Sequence, residues 1–380
     1  MIGPEQPCFV IAEAGVNHNG SMELAFKLAD AAKAAGADLV KFQAFDADLL
    51  VAEGAEKAGY QKQTTGGGDQ RSMLRALQLS EAQFVAIKAH CDRIGIAFAA
   101  SPFDHPSLEL LLRLPVGLLK LGSGEITNRP LIEACGCSGL PLILSTGAST
   151  LKEVTRAVGW HQLCFRRATV QAPGGAFGFA GGHGLALLHC VSAYPTRPEE
   201  TNLRAMARIA EATTLPVGFS DHTPDLEVAP LAVAAGACIV EKHLTLDRTL
   251  PGPDHAASLE PADFAEMVRR IRRVEALLGR AQKQPQPSEQ DVIRVARKSL
   301  LAARDLPAGA VVGESDVFIP RPGVVEGGFG PWQLDAVVGR TLKSALKRGQ
   351  PFLASELDGS APSQPSWFGQ KPPKERPREQ

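Results

Sequence analysis

Two histidines follow two short apolar runs of the sequence, and their imidazoles could bind a divalent metal. One run, Val217–Phe219, is followed by Ser-Asp-His222, and the other, Cys238–Val240, by Glu-Lys-His243. Short apolar runs of this kind are typical of strands buried in a parallel sheet, and such strands bring their carboxyl ends to one edge. Imidazole nitrogens with carboxylate or water oxygens suit Mn²⁺, Co²⁺, Zn²⁺ or Fe²⁺. His222 and His243 are therefore predicted to form a metal site.

Lysines and hydroxyl groups follow other apolar runs, and they suit an anionic, phosphorylated substrate. Lys41 and Lys120 would supply positive charge, and the hydroxyl groups would donate hydrogen bonds. The hydroxyl residues at the ends of runs are Ser101, Ser123, Ser145, Thr146, Ser192, Tyr194 and Ser220. Polar groups inside a barrel cost free energy unless they are paired or used, so their accumulation indicates a binding site. The alternative is that each lysine forms only a structural ion pair with Glu13, Glu125 or Glu241.

The loop after the last of these runs carries Asp247, Asp254 and His255, whose roles the sequence leaves open. An aspartate there could contact the metal or a sugar, or it could cap a turn, as aspartate often does near proline and glycine. We favour a sugar contact for Asp247 and hold both interpretations for Asp254 and His255. His18, in Asn17-His-Asn19, either orients a substrate or stabilises its own loop.

Eight apolar runs alternate with helical patterns, and this alternation predicts a barrel. The runs are Phe9–Ala14, Leu39–Gln43, Ala97–Pro102, Leu118–Gly122, Leu142–Ser145, Leu185–Val191, Val217–Phe219 and Cys238–Val240. Helical patterns such as Met22–Ala35, Ser80–Gly95 and Thr150–Gly159 lie between them, some with capping signals at their starts. Eight alternations within about 280 residues match the size of a (β/α)₈ TIM barrel. A doubly wound sheet is the structural alternative, but no glycine-rich dinucleotide loop follows the first run.

Composition divides the chain into four regions. Residues 1–280 form the predicted barrel domain, and the polar, proline-interrupted residues 281–295 form a linker. Residues 296–358 show short strands and turns, which predict a small C-terminal β-rich domain. Residues 359–380 are rich in proline, serine and charge, and we expect them to be disordered.

Charge and hydropathy exclude two classes of partner. The net charge is −1 with acids and bases interspersed, so neither nucleic acid nor an anionic membrane is expected. The longest uncharged stretch, residues 168–196, is interrupted by glycine and proline and does not predict a membrane helix. The N-terminal residues lack the basic and apolar segments of a signal peptide. The protein is therefore expected in the cytoplasm.

Seven motifs, in chain order, resemble those of the sialic acid synthase family. They are Ile11–Gly20, Val40–Gln43, Leu119–Glu125, Leu144–Gly147, His189–Pro195, Gly218–His222 and Val240–His243. That family condenses phosphoenolpyruvate with an N-acylated amino sugar to make nonulosonic acids. Its barrel is joined to an antifreeze-like (SAF) domain, which the segments Arg297–Leu300, Asp305–Gly309 and Arg321–Gly323 resemble.

The resemblance implies roles for the matched side chains. Phosphoenolpyruvate would be bound by Lys41, Lys120, Ser123, Ser145 and Ser220, and we add Ser192 because it ends a strand. The metal on His222 and His243 would be Mn²⁺, with Mg²⁺ or Co²⁺ as alternatives. Glu125 would act as acid and base, and Glu13 is assigned to catalysis beside the sugar. Further sugar contacts would come from Gln43, Tyr194 and Arg321. The family also implies a domain-swapped homodimer, in which Arg321 lies over the active site of the other protomer.

Departures from the family pattern leave the acceptor sugar open. Thr64-Thr65 and Val191–Ala193 replace residues that are usual in the family, and Ala172–Gly184 resembles an insertion. The acceptor is therefore expected to be N-acetylmannosamine or a 2,4-diacetamido hexose. The alternatives are a legionaminate or pseudaminate synthase first and a keto-deoxy sugar acid synthase second. A non-catalytic carbohydrate-binding protein is a third hypothesis, although such a protein has no need for Glu125, Lys120 and both histidines together.

Overall fold

The computed structural model describes residues 1–168, 177–321 and 327–358. Its internal contacts divide the chain into two units, Met1–Gly279 and Arg280–Gln380. Residues 172–176 of the suggested insertion and the tail from 359 to 380 lie outside the described residues. Within the described residues, no helix combines the length and the apolar character needed to cross a membrane.

The first unit contains one sheet of eight strands in barrel order. The strands are β1 Phe9–Gly15, β2 Leu39–Ala44, β3 Ala97–Pro102, β4 Leu119–Leu121, β5 Leu142–Ser145, β6 Leu185–Cys190, β7 Val217–Asp221 and β8 Ile239–His243. Their order is β3-β2-β1-β8-β7-β6-β5-β4, and the hydrogen-bonded neighbours are parallel. The first strand pairs with the last, and β3 packs beside β4. This nearly closed ring confirms the TIM barrel and excludes the doubly wound sheet.

Helices alternate with the strands. They are α1 Met22–Ala34, α2 Ala47–Leu50, α3 Gly59–Thr65, α4 Gln70–Leu77, α5 Glu81–Ile94, α6 His105–Arg113, α7 Arg129–Cys137, α8 Leu151–Ala168, α9 Ala205–Thr213, α10 Val228–Ala234 and α11 Pro261–Leu278. Side chains at the N-caps determine several starts: Ser21 accepts from Leu24, and Ser80 with Gln83 forms a capping box. Helix α8 continues beyond the predicted Gly159, because one glycine inside a helix costs only about 1 kcal/mol.

Alternation along each strand divides the barrel interior into two layers. Side chains of the lower layer are apolar: Ile11, Leu39, Ala99, Leu118, Ile143, Leu188 and Ile239. Two residues further along, inward side chains form the upper layer: Glu13, Lys41, Ser101, Lys120, Ser145, Cys190, Ser220 and Glu241. Gly218 stands in the lower layer of β7, where a Cβ atom would overlap Leu188 and the carbonyl of Ile239. Because inward residues are two positions apart along a strand, the upper layer of mostly polar side chains lies directly above the apolar lower layer.

The second unit forms a small domain with its own core. Two short antiparallel strands, β9 Leu301–Ala302 and β10 Val317–Phe318, lie among isolated bridges. Its buried apolar residues include Leu300, Leu342 and Phe352. The segment predicted as a linker contains a short helix, α12 Gln290–Ala296.

Candidate functional site

A cavity of about 310 Å³ opens at the carboxyl ends of the strands. Most of the predicted site residues line it: Glu13, Lys41, Gln43, Lys120, Ser123, Ser145, Ser192, Tyr194, Ser220, His222 and His243. The strands position most of these side chains directly, since each is the inward residue at the end of a strand or follows it within a few residues. This placement agrees with the rule that barrel enzymes carry their sites at this face.

The floor of the cavity is a buried network of two ammonium groups and two carboxylates. Lys41 Nζ lies 2.6 Å from Glu13 Oε2 and 3.6 Å from Glu241 Oε2, and Lys120 Nζ lies 3.3 Å from Glu241 Oε1. Burial opposes ionisation of Glu241, but the two lysines outweigh it and lower the pKa of its carboxyl group to about 2. Burial also lowers the pKa of Lys120, which Glu241 partly offsets. The ion pairs of the structural alternative are thus present, and both ammonium groups also line the cavity.

Serine, cysteine and glycine residues lie beside the network of lysines and carboxylates in the cavity wall. Ser123 Oγ accepts a hydrogen bond from the N–H of Gly147 at 2.9 Å and lies 2.9 Å from Cys190 Sγ. A side chain at Gly147 would overlap Ser192 and Cys190, so only glycine fits there. Ser145 Oγ is buried and has no hydrogen-bond partner among the described residues. Such a group costs free energy until a ligand pairs with it, which favours an anion at this point.

The two predicted metal ligands lie side by side. The ring centroids of His222 and His243 are 5.5 Å apart, and the ring of Tyr194 lies 4.2 Å from that of His222. His222 Nδ1 donates to the carbonyl of Val191 at 2.8 Å, which leaves Nε2 unprotonated as the acceptor nitrogen, 3.4 Å from Ser220 Oγ. His243 Nδ1 is buried, makes no hydrogen bond within the described part of the chain, and lies 3.9 Å from Asp254 Oδ2. Burial lowers the pKa of both imidazoles, and neutral imidazole is the form that ligates metals.

This donor set fits a metal ion that takes only part of its coordination sphere from the protein. Among the described residues, no group of three or more His, Cys, Asp or Glu side chains is arranged to hold a metal. Two imidazoles would therefore need oxygen atoms from water or substrate to complete the sphere.

Two predicted site residues of the first unit, Glu125 and Asp247, are not among the described residues that line the cavity. Glu125 ends the 3₁₀ turn Ser123–Glu125 and accepts from Asn128 Nδ2 at 2.6 Å. Residues two apart in such a turn point in different directions, so Ser123 faces the cavity and Glu125 does not. Asp247 is exposed and accepts from the N–H and hydroxyl of Thr249, which is the turn-capping alternative. Arg321 belongs to the second unit.

Several cavity residues received no specific role from the sequence. Glu241 and Ser101 belong to the polar layer, and their inward position on a strand was the available signal. Asp254, for which both interpretations were held, lines the cavity, whereas Asp247 is not among its described lining residues. Met73 and Leu74 come from α4, which no strand pattern indicates.

His18 and His255 stabilise loops beside the site. His18 Nδ1 accepts from the N–H of Gly20 at 3.0 Å, and burial lowers the pKa of its ring to about 4. His255 Nδ1 lies 2.6 Å from Thr245 Oγ1, and its Nε2 lies 3.2 Å from Asn19 Oδ1. These contacts support the loop interpretation for both residues.

Asp254 should make the stability of the fold depend on pH. Burial, with a smaller contribution from Glu13, raises the pKa of its carboxyl group from 3.8 to about 7. Between these two pH values the folded protein binds more protons than the unfolded chain. The contribution of protonated Asp254 to the free energy of unfolding is therefore complete below about pH 4 and is lost as the pH rises through 7. Asp254→Asn should therefore match the wild type near pH 4 and exceed its stability at pH 8. The difference should grow by at most about 1.4 kcal/mol per pH unit.

Urea denaturation at pH 4, 6 and 8 measures this difference. Asp92→Asn, at an aspartate whose side chain is 60% exposed, is the control and should show no such trend. A constant difference between Asp254→Asn and the wild type across the three pH values would contradict the buried, proton-binding carboxyl group.

Comparison with known proteins identifies the family. A model described as "NeuB family" matches residues 28–283, and one described as "SAF domain" matches residues 297–358. An N,N'-diacetyllegionaminic acid synthase from Legionella pneumophila is 42% identical over 357 residues, covering 94% of this chain and 96% of that protein. An N-acetylneuraminate-9-phosphate synthase from Homo sapiens is 31% identical over 363 residues, covering 94% of each.

Solved structures agree with this comparison. The crystal structure of N-acetylneuraminic acid (sialic acid) synthetase from Leptospira borgpetersenii in complex with citrate has a TM-score of 0.66 and 35% identity. It covers 77% of this chain and 92% of that chain. The resemblance noted in the seven motifs is thereby confirmed over both domains. The chain belongs to the NeuB family, several of its relatives are named as synthases of nonulosonic acids, and it carries the SAF domain after its barrel.

Proposed function

We propose that this protein condenses phosphoenolpyruvate with the open-chain aldehyde of an N-acylated amino sugar, giving a nonulosonic acid and phosphate. The observation that carries the proposal is the single cavity that combines two lysines, several hydroxyl groups and two adjacent histidines. The relatives are named for products with two acetyl groups or for a 9-phosphate. The acceptor that we propose is N-acetylmannosamine or a 2,4-diacetamido hexose.

The polar layer suits phosphoenolpyruvate. Lys41 and Lys120 would balance the charge of its phosphate and carboxylate, and Ser145, with its unpaired hydroxyl group, would donate to an anionic oxygen. Ser123, Ser192 and Ser220 lie in the same wall and would add hydrogen bonds. Because these donors are already in position, little reorganisation accompanies the development of charge on the leaving phosphate.

The histidine pair suits a divalent cation beside the acceptor aldehyde. His222 and His243 would hold it, with Mn²⁺ as the proposed ion and Mg²⁺ or Co²⁺ as alternatives. When bound, such an ion supplies Lewis acidity at the aldehyde oxygen. Tyr194 and Gln43, in the same wall, would contact the sugar and orient its aldehyde carbon toward C3 of phosphoenolpyruvate.

Proton transfer is assigned to Glu13. Its carboxylate lines the cavity, accepts from Gln43 Nε2 at 3.2 Å, and has a pKa that burial raises against the opposing effect of Lys41. It can therefore hold a proton for the new alkoxide or take one from the water that attacks C2, an effect typically worth about 10²–10⁴ in rate. Phosphate then leaves with cleavage of its C–O bond. Glu125 would orient the turn that carries Ser123 through its hydrogen bond with Asn128.

The proposal includes an assembly. The matched SAF domain supports a domain-swapped homodimer in which Arg321 contacts the sugar bound by the other protomer. A cytoplasmic location follows from the substrate, because phosphoenolpyruvate is an intermediate of cytoplasmic metabolism.

The function is tested by phosphate release from phosphoenolpyruvate. Release should require an N-acylated amino sugar and a divalent ion together, should stop after treatment with EDTA, and should return when Mn²⁺ is added. Erythrose 4-phosphate and arabinose 5-phosphate should give no release. Turnover of either aldose phosphate, or release that survives metal removal, would contradict the proposal, and mass spectrometry of the product identifies the acid formed.

A further inference from the structure

One corner of the cavity holds a thiol group that the proposed reaction does not use. Cys190 is the last residue of β6, lines the cavity and is 4% exposed. Its Sγ lies 2.9 Å from Ser123 Oγ. A Cβ atom added at Gly147 would lie 2.7 Å from this sulfur and 2.8 Å from that hydroxyl oxygen, so the three residues are in close contact. The thiol is therefore packed against a hydroxyl group that is assigned to phosphoenolpyruvate.

The hydrogen bonds of Ser123 determine what its hydroxyl group can offer to a ligand. A serine hydroxyl donates one hydrogen and accepts at two lone pairs. The N–H of Gly147 donates to Ser123 Oγ at 2.9 Å and takes one lone pair. If the thiol of Cys190 donates to the second lone pair, the hydroxyl hydrogen of Ser123 is left to point to the cavity. If Ser123 donates to the sulfur instead, only a lone pair is directed to the cavity, and a lone pair repels an anion.

The surroundings of Cys190 favour the arrangement in which the thiol donates. Burial raises the pKa of Cys190 and outweighs the opposing effects of Ser123 and Lys120, so the sulfur keeps its proton. Ser145 Oγ, in a residue that lines the same cavity and is 3% exposed, has no hydrogen-bond partner within the described residues. An unpaired buried hydroxyl group in one cavity with the ammonium group of Lys120 indicates that an anionic oxygen binds there.

On the basis of the proposed function, we propose that Cys190 is a positioning residue for phosphoenolpyruvate. Its S–H group donates to Ser123 Oγ, and together with the N–H of Gly147 it occupies both lone pairs of that oxygen. The hydroxyl hydrogen of Ser123 is thereby turned toward the phosphate or carboxylate of the bound substrate. It also becomes a stronger donor, because hydrogen bonds in a chain polarise one another. No bond to the sulfur forms or breaks.

Binding of phosphoenolpyruvate, measured by calorimetry in the presence of Mn²⁺, tests this role. Cys190→Ala should raise the Kd about fivefold, which is the loss expected for one neutral hydrogen bond. Cys190→Ser, whose hydroxyl group is also a donor, should stay within about twofold of the wild type. Cys137→Ala, at an exposed cysteine of α7, is the control and should not change the Kd. Wild-type affinity in Cys190→Ala, or an equal loss in Cys190→Ser, would overturn the inference and leave the proposed function standing.

A double-mutant cycle shows whether Cys190 acts through Ser123. Ser123→Ala removes the hydroxyl group that the thiol is proposed to orient. Adding Cys190→Ala to Ser123→Ala should therefore change the Kd by less than about twofold, because the two residues share one interaction. A loss of about fivefold in both backgrounds would mean that Cys190 acts independently of Ser123, and it would overturn the inference.

Steady-state phosphate release separates this inference from the proposed function. In Cys190→Ala, the KM for phosphoenolpyruvate should rise about fivefold while kcat and the KM for the acceptor sugar stay within about twofold, as expected when an interaction made equally in the ground and transition states is lost. A rise confined to the KM for the sugar would overturn the inference alone. A wild-type protein that neither binds phosphoenolpyruvate nor releases phosphate from it with any N-acylated amino sugar would overturn both.

Discussion

Lys120→Met is expected to lower kcat/KM for phosphoenolpyruvate by about 10²–10³-fold, because removing one partner of a buried charged contact costs about 2–5 kcal/mol. The Lys120 side chain is 3% exposed, and its nearest carboxylate oxygen, on Glu241, is 3.3 Å away. Lys41, by contrast, has a carboxylate of Glu13 at 2.6 Å. Lys120 therefore has the less tightly engaged ammonium group and the greater capacity to bind an incoming phosphate.

Steady-state phosphate release measures the effect, and circular dichroism shows whether the barrel remains folded. Lys152→Met, at an exposed lysine of α8, is the matched control and should behave like the wild type. Lys120→Arg should not restore activity, because a planar guanidinium does not replace a compact ammonium group at a buried site. Wild-type kinetics for Lys120→Met would show that this lysine is only half of a structural ion pair.

The positions of the strand residues could be predicted because strand geometry is local. Once an apolar run is identified as a barrel strand, its inward residues and its carboxyl end follow from the period of two. Lys41 and Glu241 therefore appear in one layer although 200 positions separate them in the chain. The adjacency of His222 and His243 follows from the parallel pairing of β7 and β8.

The positions of the loop residues could not be predicted in the same way. The orientation of Glu125 depends on a 3₁₀ turn, and the choice between Asp247 and Asp254 depends on how a long loop folds back on the cavity. Helix α4 was missed, although Asp69 before Ser72 is a capping signal. The position of α4 beside the cavity depends on its tertiary contacts with α2. No periodic pattern in a single sequence predicts which two helices pack together.

Lys242→Met is expected to lower the free energy of unfolding by about 3–5 kcal/mol, because it leaves a buried carboxylate without its partner. Lys242 Nζ donates to Asp221 Oδ2 at 2.7 Å, and both side chains are 0% exposed. The other oxygen of Asp221 accepts from the N–H and hydroxyl of Thr223. The pair connects β7 to β8 immediately before His222 and His243, on the opposite side of the strands from the cavity.

A double variant separates the cost of the unpaired charge from the value of the pair itself. Asp221→Leu with Lys242→Met removes both charges, and it should recover most of the stability lost by Lys242→Met, since an apolar pair often replaces a buried ion pair without loss. Its activity should nevertheless stay below that of the wild type if the pair also aligns the two histidines. Lys27→Met, in the exposed pair with Glu23, is the control and should not change the unfolding midpoint in urea. A Lys242→Met protein as stable as the wild type would mean that Asp221 finds other partners, and the ion pair would then have no part in holding the two strands together.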